Sequence, residues 1–395
     1  MNYSVKGFSA GAMHCGIKRK AKYDLAVIYS EVPAVAAGVF TKNKVKAAPV
    51  QLSKKNLKSG SVSALVFNSG NANACTGKDG VRVAGMMAGK TAEKLKLKPK
   101  NVLVCSTGVI GVKMPAEKIK NGLEALCGKL SPGKLVDAAQ AMLTTDTFKK
   151  IILFKFRLNG RKCSILGMAK GSGMIHPNMA TLLCFLLTDV SITRALLNKA
   201  FREGVEDSFN SITVDGDTST NDTVLALANG MAGNKVISST GGSYRLFSAK
   251  LKEAMVFLAK LIVRDGEGAS KFIEIEVKGA VSKAEAKRAA MSIAKSNLFK
   301  TAVYGADPNW GRVVAALGNS GIKFKEERIK VSFGGLMVVS KGIELPSFSE
   351  KEAHEKLAGK EIKVAVDLGQ GKVSSKVWTC DLTEGYIKIN AHYRT

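Results

Sequence analysis

KGSGMIHPNMATLLCFLL, at residues 170–187, joins a glycine-containing turn to an apolar run. Gly171 and Gly173 make the first part flexible, whereas 181–187 has the length and composition of a buried strand. Thr181 therefore opens a predicted core strand directly after a flexible turn. A hydroxyl that is to become the N-terminal nucleophile of a cut chain needs this position.

The segments around this stretch predict a mixed α/β protein. Within 151–169, two β-rich segments flank Asn159-Gly160, which supplies the positive φ angles of a type I′ hairpin. Apolar residues at helical spacing predict one helix after Pro115 and another with Ser191 as its N-cap. Further strands are predicted at 64–67, 102–105, 151–156 and 272–277.

Length and composition exclude several classes of protein. The chain has 395 residues, of which 46% are hydrophobic and 23% charged, as in ordinary globular proteins. No apolar run approaches the roughly 20 residues of a membrane span, and the first residues lack the apolar block of a secretory signal. A cytoplasmic protein without a membrane partner is therefore expected.

Cysteine and histidine usage does not favour metal chemistry. The seven cysteines are scattered without a CxxC pair, which predicts buried small side chains rather than disulfides or a zinc site. The four histidines share no spacing typical of metal ligands. No metal and no resident cofactor are expected.

Positive charge is concentrated in the first part of the chain. Residues 1–180 hold 30 Lys and Arg against 8 Asp and Glu, a net charge of +22 of the total +28. The lysine runs at 53–58 and 94–100 could attract nucleic acid. However, no aromatic residues alternate with these lysines to form a base-stacking surface. Solvated lysine faces are the favoured interpretation, and nucleic-acid binding is the alternative.

Three polar, glycine-containing loops are candidate ligand sites, and for each a purely structural role stays open. Residues 68–73 form either a ligand-binding loop or only a turn that connects two elements. Residues 106–111 follow an apolar strand and could present backbone N–H groups to an oxyanion, although Gly-x-x-Gly alone is a weak signal. Residues 215–222 contain three aspartates but do not match an EF-hand, so a hydrogen-bonded acidic turn is favoured over a calcium site.

Motifs of the common nucleotide and hydrolase sites are absent from the sequence. There is no GxxxxGK[ST], no strand-linked GxGxxG and no GxSxG. Residue patterns alone therefore predict only an α/β protein with glycine-rich sites.

The segment 170–181 resembles the self-cleavage segment of the ornithine acetyltransferase (glutamate N-acetyltransferase) family of arginine biosynthesis. Further segments resemble that family in the same order along nearly the whole chain: 68–73, 106–111, 144–147, 213–222, 265–271, 305–312 and 389–395.

This resemblance implies autocatalytic cleavage between Ala180 and Thr181, which gives an α chain, 1–180, and a β chain, 181–395. It also implies an α/β, sandwich-like architecture of the N-terminal-nucleophile type, in which the two chains interleave, with a smaller C-terminal lobe. Cleavage has a chemical purpose, since a new N-terminal threonine carries its own base, an α-amine with a reference pKa of roughly 7.7–8.0.

The family's reaction is acetyl transfer from N2-acetylornithine to glutamate through acetyl-Thr181, by a ping-pong mechanism. By resemblance, Thr107 and Gly108 form the oxyanion hole. Charge suggests that Lys170 meets a substrate carboxylate and Glu267 an ammonium, although the two could instead form a surface ion pair. The family's substrate contacts match Thr147, Lys170, Thr181, Glu267, Asn390 and Thr395.

Several properties stay open after the resemblance. Family members differ in whether they also use acetyl-CoA to acetylate glutamate, so acetyl-CoA is a candidate co-substrate. An α2β2 heterotetramer of cut chains is expected from the family. A self-processing aminopeptidase or amidase, which releases the acyl group to water, is the alternative function.

Overall fold

The computed structural model describes residues 3–20, 22–176 and 182–392, and the chain divides into two compact units. Unit 1 comprises Met1–Gly171, Asn178–Asn210 and Asp217–Ile262. Unit 2 comprises Ser172–Pro177, Ser211–Gly216 and Val263–Thr395. Unit 2 is thus the smaller and mainly C-terminal one, as expected from the sequence.

Unit 1 contains a mixed sheet, and its helices follow β2 in the chain, between and after the later strands. Its strands are β1 (Phe8–Met13), β2 (Leu25–Phe40), β3 (Val62–Asn71), β4 (Val102–Val109), β5 (Lys150–Leu158), β6 (Arg161–Lys170), β7 (Leu183–Thr188) and β8 (Thr223–Ala228). Its helices are α1 (Ala48–Asn56), α2 (Gly77–Lys94), α3 (Ala116–Leu126), α4 (Leu135–Ala141), α5 (Arg194–Glu206) and α6 (Gly242–Arg264). The strands predicted at 64–67, 102–105 and 151–156 are confirmed, and the strand predicted at 181–187 is confirmed from Leu183 onwards, while Thr181 lies outside the described residues.

The strand order is β4-β3-β2-β8-β7-β6-β5, with β1 paired to β2. β3 pairs with β4, and β7 with β8, in parallel; the other neighbours are antiparallel. Long β2 bridges the sheet because Leu25–Tyr29 pair with β3 whereas Val35–Phe40 pair with β8. Strands that precede and follow residue 181 in the sequence therefore share one sheet.

The core of unit 1 lies between the two halves of this sheet. The ring centroids of Phe67 on β3 and Phe185 on β7 are 5.1 Å apart, although two strands, β2 and β8, separate β3 and β7 in the hydrogen-bonded order. Leu65, Leu103 and Leu225 belong to the same buried cluster. This face-to-face packing is the sandwich arrangement that the resemblance implied.

Two local predictions have different outcomes. Asn159 and Gly160 have φ angles of +48° and +78°, and Leu158 pairs with Arg161, so the type I′ hairpin is confirmed. Ser191 as a helix N-cap is wrong, since the cap of α5 is Thr193. The reason is a short bridge in which Ile237 N donates to the Ser191 carbonyl, which keeps the chain extended there.

Unit 2 has its own sheet and core. Its strands are β9 (Phe272–Ala280), β10 (Lys330–Phe333), β11 (Leu336–Ser340), β12 (Ile343–Glu344), β13 (Glu361–Asp367) and β14 (Val373–Cys380), in the order β12-β11-β10-β13-β9-β14. Its helices are α7 (Lys283–Lys295), α8 (Asn297–Tyr304), α9 (Trp310–Gly318), α10 (Glu350–Ala358) and α11 (Glu384–Ala391). Ala286, Ala289, Ala290 and Ile293 give α7 a buried face at helical spacing, which packs into the core with the buried side of β9.

Candidate functional site

The ends of β3 and β4 approach each other so closely that only glycine fits at position 108. Gly108 has a φ of +131°, and a Cβ there would overlap backbone atoms of Gly70 and Asn71. The expected loop at 106–111 is in part wrong: Thr107 and Gly108 still belong to β4, because the parallel ladder with β3 continues to their level. Thr107 and Gly108, the predicted oxyanion hole, are therefore held by pairing with β3, whose register shifts at Gly70 and Asn71.

Hydrogen bonds of asparagine side chains connect the ends of β3 and β4 with the start of β8. The Ser106 hydroxyl donates to Asn68 Oδ1 at 2.6 Å, and Asn68 Nδ2 donates to the Asn71 carbonyl at 2.9 Å. Asn221, which precedes β8, donates through Nδ2 to the carbonyls of Ala72 (2.6 Å) and Ser106 (2.8 Å). For 68–73 this favours the structural alternative, since buried amides here bond to the backbone. The hydrogen bond from Asn221 to the Ser106 carbonyl also places the start of β8 next to the residue that precedes Thr107.

A buried charge cluster surrounds Asp146. Its Oδ1 accepts hydrogen bonds from Lys150 Nζ at 2.6 Å and Gly171 N at 2.7 Å, and its Oδ2 accepts one from Thr144 N at 3.0 Å. The side chains of Asp146 and Lys150 are both fully buried. Burial alone would raise the pKa of Asp146, but the charges of Lys170 and Lys150 and these hydrogen bonds lower it to about 2. Asp146 is therefore ionised and partnered.

Lys170, at the end of β6, carries the second positive charge of this cluster. Its Nζ is 3.9 Å from Asp146 Oδ2, beyond hydrogen-bond distance, and 9% of its side chain is exposed. Among residues 3–20, 22–176 and 182–392, none accepts a hydrogen bond from this ammonium, which has three donors. A nearly buried cation with unused donors is suited to a carboxylate ligand.

Asp222 is buried as deeply as Asp146 but has no such partners. The residue is 2% exposed, and neither carboxyl oxygen has a hydrogen-bond partner in the described part of the chain. Burial raises the pKa of Asp222 well above its usual range, and the charge of Lys170, which lowers it, does not outweigh burial. Sequence analysis did not single out this residue, although an aspartate directly before a fully buried strand is an unusual feature.

The predicted acidic turn at 215–222 therefore does not exist as one unit. Asp215 belongs to unit 2, and its Oδ1 accepts a hydrogen bond from Ile175 N at 2.9 Å. His176 follows, with Nδ1 3.3 Å from Thr213 Oγ1. Burial and the charge of Lys295 lower the pKa of His176 to about 4, so this histidine is neutral near pH 7. The prediction of a hydrogen-bonded turn is confirmed for Asp215 and wrong for Asp222, which is buried at the start of β8 without partners.

Unit 2 brings two further predicted residues together. Glu267 is 7% exposed, and its Oε2 accepts a hydrogen bond from Asn390 Nδ2 at 2.9 Å. Its backbone N donates to the Ser172 carbonyl at 3.0 Å. A Cβ at position 173 would overlap the Glu267 carboxylate, so Gly173 leaves the space that this side chain occupies. Glu267 is thus fixed against the glycine-containing segment.

The alternative of a surface ion pair between Lys170 and Glu267 is wrong, because both residues are buried. Thr147 is exposed in the turn after Asp146. Ala180, Thr181 and Thr395 lie outside the described residues, so their predicted roles stay predictions.

Cysteine, metal and membrane features were also predicted from the sequence. All seven cysteines are free thiols; five are buried, Cys15 is half-buried and Cys75 is exposed. Within the part of the chain that the structure describes, no group of three or more His, Cys, Asp and Glu side chains is arranged to hold a metal ion. Among the same residues, no helix is long and apolar enough to span a membrane.

Comparisons with known proteins match nearly the whole chain. A sequence profile of the ArgJ family matches residues 9–395. Arginine biosynthesis bifunctional protein ArgJ 1 of Clostridium acetobutylicum is 49% identical over 395 residues, which cover 99% of this chain and 97% of that protein. Arginine biosynthesis bifunctional protein ArgJ of Caldanaerobacter subterraneus subsp. tengcongensis is 48% identical over 393 residues, with 99% and 97% covered.

A solved structure supports the fold. The crystal structure of arginine biosynthesis bifunctional protein ArgJ from Bacillus halodurans is 42% identical, with a TM-score of 0.51. The match covers 97% of that chain but 52% of the present one. The solved polypeptide is therefore about half as long as this chain.

Proposed function

Since the chain belongs to the ArgJ family, we propose that it is a glutamate N-acetyltransferase of arginine biosynthesis, which moves the acetyl group of N2-acetylornithine to glutamate. The observation that carries this proposal is the Lys170 ammonium, which is nearly buried in unit 1 and has no hydrogen-bond acceptor among the described residues. The chain that contains Lys170 aligns over 99% of its length with relatives named as arginine biosynthesis proteins.

Lys170 is proposed to bind the α-carboxylate that donor and acceptor share. Its ammonium keeps donors unused because Lys150 takes the hydrogen bond to Asp146. A charge-assisted hydrogen bond to a carboxylate would then satisfy it. Glu267 is proposed to meet the side-chain ammonium of the ornithine moiety, and Thr147, Asn390 and Thr395 are proposed as further substrate contacts.

The transfer is proposed to pass through acetyl-Thr181. The Thr181 hydroxyl attacks the acetyl carbonyl, its proton goes to the Thr181 α-amine, and ornithine leaves with its α-amine restored. The amine of glutamate then attacks the acetyl ester and regenerates the hydroxyl. Thr107 and Gly108 are proposed to stabilise the tetrahedral oxyanion in both steps. The strand pairing that fixes Gly108 supports such a role, because preorganised donors need not move during the reaction.

The nucleophile becomes available when the chain cuts itself between Ala180 and Thr181. The Thr181 hydroxyl attacks the Ala180 carbonyl, which gives an ester that water hydrolyses. Two observations support this step. The ArgJ chain solved from Bacillus halodurans is about half as long as the present chain. Moreover, β6 and β7 flank the cut and pair from Ile165↔Thr188 to Lys170↔Leu183, so the α and β chains would stay joined by one sheet.

Further properties are proposed from the family. The relatives are named bifunctional, which supports a second reaction, acetylation of glutamate by acetyl-CoA through the same Thr181. An α2β2 heterotetramer of cut chains in the cytoplasm is the proposed state of the enzyme.

The first test is the mass of the denatured, freshly purified protein. We expect two chains, 1–180 and 181–395, and a single uncut chain for Thr181→Ala. An uncut wild-type chain would contradict the proposed nucleophile.

The second test measures ornithine release from N2-acetylornithine with and without glutamate. We expect rapid release and formation of acetylglutamate when glutamate is present, and at most one equivalent of ornithine per site without it. Continuous release at an equal rate without glutamate would identify an amidase instead.

A further inference from the structure

A cavity of about 580 Å³ in unit 1 lies between the end of β2, α1 and the end of α5. The substrate contacts proposed above do not line it. Among its lining residues, Val39, Val50 and Val205 are buried and Phe40 is half-buried. The cavity therefore has an apolar part, which is suited to the flat ring of a ligand.

Cationic side chains also line this cavity, and they outnumber the acidic ones. The cations are Lys42, Lys46, Lys54 and Arg202, whereas Glu206 is the one carboxylate among the lining residues that the structure describes. Within residues 3–20, 22–176 and 182–392, the four cationic side chains form no ion pair and no hydrogen bond. Cations without partners around a concave surface attract a ligand that carries several negative charges.

The spacing of residues along the two helices explains why apolar and cationic side chains meet in one cavity. Val50 and Lys54 are four residues apart on α1, and Arg202 and Val205 are three residues apart on α5. Residues at these separations lie on the same face of a helix. Each helix thus contributes a buried valine and, one turn away, a cation.

Hydrogen bonds fix the segment 41–47, which carries two of the four cations. The Thr41 hydroxyl donates to the Ser219 carbonyl at 2.6 Å, and Asn43 Nδ2 donates to the Thr218 carbonyl at 2.9 Å. Both acceptors lie in the segment that leads into β8, far away in the sequence. A rim that is already fixed needs little ordering when a ligand binds, which favours affinity.

The cavity lies at the end of the sheet that contains the proposed cleavage point. Phe40, a lining residue, pairs with Thr223 of β8, and Thr223 pairs with Leu183 of β7. Because neighbouring strands are about 4.8 Å apart, Phe40 and Leu183 are separated by about 10 Å. Leu183 follows the proposed nucleophile by two residues in the sequence.

We propose that this cavity binds the phosphorylated adenosine part of CoA, an inference whose ligand rests on the acetyl-CoA reaction proposed above. CoA carries an adenine ring and three phosphate groups, and a long, flexible arm joins them to the sulfur. The ring matches the apolar part of the cavity, and the phosphates match Lys42, Lys46, Lys54 and Arg202. The arm then extends from the cavity towards the start of β7.

The test is calorimetric titration of the purified protein with adenosine 3′,5′-bisphosphate, which resembles CoA without its arm. We expect wild type to bind this probe, and Lys46→Gln and Arg202→Gln each to raise its Kd about tenfold, the effect of losing one charge-assisted hydrogen bond. Lys44→Gln is the matched control, because it removes the same charge from an exposed residue that does not line the cavity. Its Kd should stay within about twofold of wild type, which is the change expected without a direct contact.

Competition on the wild-type protein separates a CoA site from general attraction of anions to a chain with a net charge of +28. We expect CoA to displace the bisphosphate and an equal concentration of inorganic pyrophosphate to displace much less of it. Equal displacement by pyrophosphate would overturn the proposal, as would an equal loss of affinity in Lys44→Gln. Absence of binding to wild type would overturn it too.

Enzyme kinetics distinguish failure of this cavity from failure of the proposed function. In Arg202→Gln, the KM for acetyl-CoA should rise at least five times more than the KM for N2-acetylornithine, following the loss of about one charge-assisted hydrogen bond. Acetylation of glutamate by acetyl-CoA with the same KM in wild type and Arg202→Gln would overturn the cavity but not the reaction. Bisphosphate binding that depends on Lys46 and Arg202, without any acetylation by acetyl-CoA, would support the cavity and contradict only the second reaction.

Discussion

Asp146 and Asp222 are both buried in unit 1, yet their pKa values are shifted in opposite directions. Asp146 accepts hydrogen bonds from Lys150, Gly171 and Thr144, and its pKa is lowered to about 2. Asp222 has no hydrogen bond to its carboxyl in the described part of the chain, and its pKa is raised well above the usual range.

The difference shows that burial alone does not set the direction of the pKa shift, because charged and hydrogen-bonded partners outweigh burial at Asp146 but not at Asp222. Lys170 acts on both: its charge favours the ionised form of Asp146 and also of Asp222. A second lysine and three hydrogen bonds complete the environment of Asp146, whereas burial dominates at Asp222. One acid thus lies beside the cation proposed to hold substrate, whereas burial disfavours ionisation of the other.

The largest expected effect is that of Asp146→Asn on stability. This substitution leaves the fully buried Lys150 without its counter-charge, and breaking one partner of a buried pair costs about 3–5 kcal/mol. Urea denaturation in a Thr181→Ala background, where the chain is expected to stay uncut, measures this loss. Asp222→Asn in the same background should cause no loss, because it removes a carboxyl whose ionised form burial disfavours. Equal losses would contradict the contrast between the two acids.

Lys170→Met tests what the cluster around Asp146 does for the reaction. Loss of one charge-assisted hydrogen bond, about 1.5–3 kcal/mol, corresponds to a decrease of about 10- to 150-fold in kcat/KM for N2-acetylornithine. Most of this decrease in kcat/KM should come from a higher KM, since the proposed carboxylate contact is remote from the reacting bond. Lys149→Met, which removes an exposed charge next to Lys150, is the control. A large fall in kcat at unchanged KM would contradict a binding role for Lys170.

The contrast between the two acids also predicts opposite pH dependences. Asp146 has a lowered pKa in the folded chain, so its contribution of about 2 kcal/mol is present above the unfolded pKa of about 3.8 and is lost as pH falls towards 2. Asp222 has a raised pKa, so the folded chain binds its proton more tightly than the unfolded chain does. Its unfavourable contribution grows as pH rises above the unfolded pKa.

The measurement is the free energy of unfolding as a function of pH for wild type, Asp146→Asn and Asp222→Asn, all in the Thr181→Ala background. It checks the direction of both predicted pH dependences. The difference between wild type and Asp146→Asn should shrink in acid. The advantage of Asp222→Asn over wild type should grow from acid to neutral pH. Parallel curves for all three proteins would mean that neither carboxyl has a shifted pKa.

Local sequence patterns predicted the strands and the hairpin, because alternation of apolar residues and the Asn159-Gly160 turn act within a few residues. They did not predict the true cap of α5, since the bridge between Ile192 and Ile237 joins distant segments. The extension of β4 to Val109 depends on Gly70 of β3 in the same way.

For the candidate site, resemblance identified Lys170 and Glu267, but it could not give their surroundings. The state of Asp222 depends on Leu182, Thr41 and Lys170, which come from three other strands or their ends. No pattern within 215–222 contains that information, so the sequence alone suggested a hydrogen-bonded turn.

The smallest expected effect belongs to Asp217, the exposed acid between Asp215 and Asp222. Because its side chain is exposed, Asp217→Asn should change the free energy of unfolding by less than about 0.5 kcal/mol. Urea denaturation at acid and neutral pH measures this change. If Asp217→Asn gained stability towards neutral pH as Asp222→Asn is expected to do, the gain would come from the net charge of the segment. Burial of an unpartnered acid would then no longer distinguish Asp222 from its neighbours.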